Sequence, residues 1–148
     1  MPDRVPITTL DIDAVIGWTV IRASRRATRL LATSLAPHEL TPVEFGVLVQ
    51  LDAADGKLSQ ADVARAVEMR PQSVAPTIDS LTQRGFVIRE GIRGRGRSGH
   101  LRLSTAGSSV VDAAMGGVLD TNAAFTSGET PPPNLNAALL SFLGSKIR

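Results

Sequence analysis

Residues 91–99 read Gly-Ile-Arg-Gly-Arg-Gly-Arg-Ser-Gly, four glycines and three arginines in nine positions, with Ile92 as the one apolar side chain. A stretch like this cannot build a core, so it belongs at the surface, between elements that are themselves anchored. Its neighbours supply the anchors. Phe86-Val87-Ile88-Arg89-Glu90 precedes it and His100-Leu101-Arg102-Leu103-Ser104 follows it. Phe86/Ile88 and Leu101/Leu103 recur at the period of two expected of half-buried strands. The segment therefore predicts a β-hairpin whose mobile tip carries Arg93, Arg95 and Arg97.

Charge gathers in the same place. From Arg84 to Arg102 there are six arginines and one acid, a net +5, while the whole chain is only +2 and the remainder is therefore −3. A mildly acidic body with one concentrated arginine segment is the pattern of a polyanion binder; a solvated charged loop is the plainer alternative. A second cluster, Arg22, Arg25, Arg26 and Arg29, contains no acid at all.

The rest of the chain reads as helix. Ile12, Ile16, Val20, Ala23, Ala27, Leu30 and Leu31 recur at three- and four-residue steps, predicting one long helix over 12–35 that ends at Pro37. Its arginines fall on another face, with Trp18 one turn before them. Thr41-Pro42-Val43-Glu44 opens a second helix with a cap, a first-turn proline and a capping box. Ser59 caps a short third helix with Asp62 in its first turn. A fourth, from about Pro71 to Arg84, carries Val74, Thr77, Ile78 and Leu81 inward, and Gly85 stops it. Ser104 or Thr105 caps a fifth, in which Gly116-Gly117 marks a bend or a close helix contact. Residues 127–134, with Pro131-Pro132-Pro133, read as a linker before a last helix over 135–147.

Composition removes whole classes of function. The chain has no cysteine, which excludes disulfides, thiolate metal sites and cysteine nucleophiles. His38 and His100 lie far apart without ligand spacing, so no metal or cofactor is expected. There are no paired carboxylates and no nucleophile with a base. Gly94-Arg95-Gly96-Arg97 is flanked by strands rather than by a helix start, so it is not a phosphate-cradling loop. An enzyme is not expected. The N-terminus carries acids where a signal peptide needs bases, and no window approaches a membrane span. The expectation is a soluble cytoplasmic protein of one domain over residues 1–148.

A helix-turn-helix followed directly by a basic hairpin is a winged helix, mainly α with a small β wing. A helix with a small polar outer face fits the major groove of DNA, and an arginine-tipped hairpin beside it reaches the minor groove. At this point the sequence resembles the MarR family of bacterial transcription regulators, most clearly over 41–107. Leu40-Thr41-Pro42 with Phe45 and Leu48, Ser59 to Ala64, Pro71 to Val74, Leu81 to Arg89 and Leu101 to Gly107 carry the resemblance. It implies a homodimer, formed by terminal helices over 10–36 and 105–148, around a DNA-binding core over 41–104. It also implies a repressor bound to a pseudo-palindromic duplex and relieved by a small aromatic or anionic effector.

On that reading the candidate DNA-binding residues are Arg70, Gln72, Ser73, Pro76, Thr77, Arg84, Arg93, Arg95 and Arg97. Arg97 matches the family's wing arginine, whereas Arg95 stands where the family places an aspartate that orients it. Pro76 bends the helix if it begins at Pro71, and is tolerated if Ser73 is the cap; the second reading is preferred. Asp79 reads as a surface or capping residue. Trp18, Arg22, Arg25, His38 and Phe45 are the candidate ligand pocket, although cation–π packing or pairing between subunits also accounts for the arginine stripe and His38 suits a turn. The rival is a winged helix used for protein interaction, with no DNA target; a constitutive DNA binder without effector is a third reading.

Overall fold

The computed structural model describes residues 5–56, 58–91, 99–126 and 134–144. In chain order the elements are α1 (Thr9–Asp13), α2 (Ile16–Leu35), a 3-10 turn (Ala36–His38), α3 (Pro42–Ala53), β1 (Leu58–Ser59), α4 (Gln60–Ala66) and α5 (Pro71–Gln83). There follow β2 (Val87–Glu90), β3 (His100–Leu103), α6 (Thr105–Asp120), a 3-10 turn (Thr121–Phe125) and α7 (Leu135–Phe142). The fold is mainly helical with a small antiparallel wing, as the hairpin pattern implied.

α3 is the centre of the core. Phe45, Val47, Leu48 and Leu51 are buried together with Leu35 of α2, Val63 of α4, Val74, Ile78 and Leu81 of α5, and Val111 of α6. Neighbours surround α3, packing it against α2, α4, α5, α6 and β3. That is why Val47 is buried although it lies outside the single stripe of Phe45, Leu48 and Leu51.

Three elements differ from the sequence pattern. The expected 12–35 helix is two helices. Thr8 and Asp11 close a capping box that starts α1, and extended Val15 (ψ 97°) separates it from α2. The break lets the Asp13 carboxylate accept from Arg22 at 2.9 Å; in one straight helix, nine residues would hold them about 13 Å apart. The wing has a third strand. β1 is only two residues long and pairs Leu58 with Leu101 and Ser59 with His100, giving the order β1-β3-β2. Within β2 the buried side chain is Val87, which pairs with Leu103, while Phe86 and Ile88 are only half-buried. A shift of one residue exchanges the faces of a strand.

The join between wing and α6 is tight. Gly85 (φ 77°) ends α5 in a Schellman turn, with Phe86 N–H donating to Leu81 O at 2.9 Å and Gly85 N–H to Thr82 O at 3.1 Å. Ser104 caps α6 and its hydroxyl donates to Gly85 O at 2.5 Å. Gly117, at the possible bend, lies inside an unbroken α6. A Cβ there would come 2.9 Å from Ser34 Oγ, so this glycine serves a close contact with α2.

Candidate nucleic-acid interface

α4 and α5 form the helix-turn-helix. At the start of α4, Asp62 Oδ2 accepts from Ser59 N at 2.9 Å and from Ser59 Oγ at 2.6 Å, while Ser59 Oγ accepts from Asp62 N at 3.2 Å. The Ser59 hydroxyl foremost, then its backbone N–H and Arg65, hold the Asp62 carboxyl at about 2, below its ordinary 3.8. At the other end Met69 N–H donates to Ala64 O at 2.9 Å and Glu68 N–H to Arg65 O at 3.2 Å. Glu68 is left-handed there (φ 54°), the position glycine usually takes. This turn joins α4 to α5, and the two helices pack on each other.

α5 buries Val74, Ile78 and Leu81 completely and exposes Gln72, Ser73, Pro76 and Asp79, with Thr77 half-buried. Arg70 is exposed at the N-cap. The cap is therefore not Ser73. Ser73 N–H and Val74 N–H both donate to Arg70 O, at 2.9 and 3.2 Å, so helical bonding starts at Arg70, and Pro71 takes the first-turn position that suits its fixed φ. Pro76 lies inside the helix, where its missing N–H leaves the Gln72 carbonyl without its helical donor. That carbonyl and the Gln72 side chain share the exposed first turns of α5.

Two arginines tie this helix to its surroundings. Arg89 of β2 donates to Asp79 Oδ1 at 2.5 Å and to Gln60 Oε1 at 3.4 Å, linking wing, α5 and α4. Asp79 thus meets the wing through an exposed ion pair. Arg84 already has partners within the fold. Its guanidinium donates to Glu44 Oε1 at 3.2 Å and to Glu39 O at 2.8 Å, and lies 4.9 Å from the centre of the Phe86 ring. The guanidinium is thus engaged with neighbouring elements, while the residue itself stays exposed. Glu44 serves twice, because its other oxygen accepts from Thr41 N at 2.8 Å in the capping box of α3. No local pattern signals this pairing across forty residues.

Arg93, Arg95 and Arg97 lie outside the described residues. On either side of them, Gly91 (φ 117°) and Gly99 bring the strand ends together: a Cβ on Gly91 would come 3.1 Å from Gly99 Cα, and one on Gly99 would come 2.8 Å from Glu90 O. Arg102 pairs with Glu90 across the two strands.

The residues expected to line a ligand pocket are only partly gathered. Arg22 and Arg25 join Arg26, Arg29, Ala23, Thr19 and Asp13 around an open groove of about 660 Å³ beside α2. Trp18, 39% exposed, lies with its ring centre 5.9 Å from the Arg25 guanidinium. Trp18, His38 and Phe45 are not among the lining residues. Phe45 faces the core at 8% exposure, and His38 is a half-buried end of the 3-10 turn. Among the described residues no group of three or more His, Cys, Asp or Glu is placed to hold a metal ion.

A model of the MarR family matches residues 38–98, the span that contains α3, both helices of the helix-turn-helix and the first wing strand. Over that span the chain matches the MarR family. Solved structures share its fold over most of its length. A MarR-family transcriptional regulator from Rhodococcus sp. RHA1 is 20% identical, covers 91% of this chain and 96% of its own, and superposes with a TM-score of 0.82. CouR from Rhodococcus jostii RHA1, bound to p-coumaroyl-CoA, is 19% identical over 93% of this chain and 97% of its own, with a TM-score of 0.78. The transcriptional repressor CouR bound to a 23-mer DNA duplex is 25% identical over 97% of this chain and all 100% of its own, at 0.74. The described residues thus share the winged-helix fold of these structures.

Proposed function

We propose that this protein is a MarR-family, sequence-specific DNA-binding transcription regulator, a repressor that acts in the cytoplasm and is relieved by a small aromatic or anionic molecule. One observation carries the reading: α5 presents Gln72, Ser73 and Pro76 to solvent beside a wing whose strands are continuous with an arginine-rich segment. Gln72 and Ser73 read base edges, Pro76 and Thr77 fill the groove surface, and Arg70 with Arg93, Arg95 and Arg97 meets phosphate or the minor groove. The DNA-bound CouR complex supports this assignment.

Residues 41–104 form the DNA-binding core, and 10–36 with 105–148 the dimerisation helices. Large apolar side chains stay exposed at the two ends of the chain, among them Leu10 at 81%, Ile16 at 80% and Phe142 at 81%. A second copy covers them, and the dimer reads a pseudo-palindrome with half-sites about 10 bp apart. The effector acts at the α2 groove through Trp18, Arg22 and Arg25; the CouR complex with p-coumaroyl-CoA supports a ligand-responsive regulator. The function is regulatory, without a catalytic step.

The test is selection of binding sites from a random duplex pool, followed by titration across about 50–200 mM salt. Each phosphate that a variant no longer neutralises changes the slope of log K against log salt by about 0.9, so R95A/R97A should flatten it by about one to two units while keeping fold and dimer. Arg97 should contribute more than Arg95. Failure to select any site, with the same weak binding and slope for wild type and variant, would replace this reading with a protein-interaction module.

A further inference from the structure

The outer face of α2 has a charge arrangement that the fold itself does not use. Val20, Ala27 and Leu31 turn inward, where α2 packs on α3 and α6, and Arg22, Arg25, Arg26 and Arg29 fall on the opposite, exposed side. All four line the groove of about 660 Å³, whose one acid, Asp13, is bonded to Arg22 at 2.9 Å. Among the described residues Arg25, Arg26 and Arg29 have no carboxylate within ion-pair distance. Three guanidiniums held on one face repel one another, so an anion that bridges them gains from relieving that repulsion as well as from each hydrogen bond it accepts.

The spacing selects the anion. Arg22 to Arg29 spans about 10 Å along the helix axis, at about 1.5 Å per residue. A single carboxylate engages one guanidinium fork; a chain of linked phosphates reaches several, and each fork matches a phosphate bidentately. The groove has the size of a small-molecule site, generally about 300–1,000 Å³, and lies on the layer of α2, whereas the DNA-reading face belongs to α5 and the wing. Trp18 is outside the groove's lining but half-open beside Arg25, its ring centre 5.9 Å from that guanidinium, so a ring face borders the site.

We propose that this groove binds a small oligophosphate-bearing molecule, with Arg25, Arg26 and Arg29 holding the phosphates and Trp18 stacking an attached ring. Its role as an effector site rests on the regulatory reading above; the binding itself does not.

Trp18 is the single tryptophan of the chain and stands beside Arg25 of the groove, so its emission reports on changes at that arginine. The experiment titrates the full-length protein with inorganic tripolyphosphate and with orthophosphate at matched ionic strength, following tryptophan fluorescence and calorimetry. Tripolyphosphate should bind saturably, one per chain, roughly tenfold or more tighter than orthophosphate, and R26A/R29A should weaken it by about tenfold or more. R95A/R97A, which removes the wing's polyanion contacts, should leave tripolyphosphate binding unaltered. Non-saturable binding, equal binding by R26A/R29A, or loss through R95A/R97A instead would overturn the proposal. So would a fall in sedimentation coefficient for R26A/R29A, which would assign the arginine row to contact between copies. Duplex binding is measured separately: its absence in the wild type would defeat the regulatory reading and leave the titration to decide the groove.

Discussion

Gly107→Ala sets helix propensity against packing, and the structure says which wins. Gly107 lies in the first turn of α6, where alanine is normally favoured over glycine by about 1 kcal/mol. A Cβ built there, however, falls 2.2 Å from Phe86 O, 3.1 Å from Phe86 C and 3.4 Å from Leu103 Cδ2. Carbon and carbonyl oxygen approach comfortably at about 3.3 Å, so backbone must move by about 1 Å. The carbonyl cannot easily yield. Phe86 O accepts from Ser104 N at 3.0 Å, and Phe86 N–H is held by Leu81 O at 2.9 Å in the turn that ends α5. Overpacking of this kind costs about 1–3 kcal/mol, occasionally more, and a weakened Ser104 bond adds about 1 kcal/mol. Set against the propensity gain, the variant should lose about 2 kcal/mol. Urea unfolding at fixed protomer concentration should show a lower midpoint with an unchanged slope, and the melting temperature should fall by roughly 4–8 °C. A variant as stable as the wild type, or more so, would refute the idea that the wing and α6 are joined by this contact.

Arg84→Ala should cost about 1–2 kcal/mol, because it strands the largely buried Glu44 carboxylate, and a cycle with Glu44→Gln should return about 1 kcal/mol of coupling. The salt slope of duplex binding should not change, since the Arg84 guanidinium already donates to Glu44 and to Glu39 O. The Asp62 carboxyl titrates at about 2 in the folded protein against an ordinary 3.8. Its contribution is complete above the ordinary value and is lost as pH falls through the folded one; Asp62→Asn should remove that part of the acid sensitivity, read by unfolding midpoints between those limits. Gln72→Ala should weaken binding to the selected duplex by roughly 1–3 kcal/mol with little effect on random DNA. Equal loss on both would remove Gln72 from the reading residues.

Features that close within a few residues are legible from the chain alone. The capping boxes of Thr41/Glu44 and Ser59/Asp62, the stop at Gly85, the inward stripe of Val74, Ile78 and Leu81 and the glycine-arginine stretch between two strands each involve partners no more than a turn or a strand apart. These patterns carry the helix starts, the wing and the family resemblance. Tertiary structure decided what depends on distant partners. β1 is two residues without periodicity of its own and exists because Leu58 meets Leu101. The inward phase of β2 is set by the pairing of Val87 with Leu103, and the fate of Arg84 by a carboxylate forty positions earlier in the chain. Arg89 reaches Asp79 and Gln60 only after α4, α5 and the wing have packed, and Arg22 and Arg25 line a groove while His38 and Phe45 lie elsewhere. A hydrogen bond inside one turn has its geometry supplied by the local backbone. A contact across the chain has its geometry supplied by the summed packing of every element between, which no short window of sequence contains.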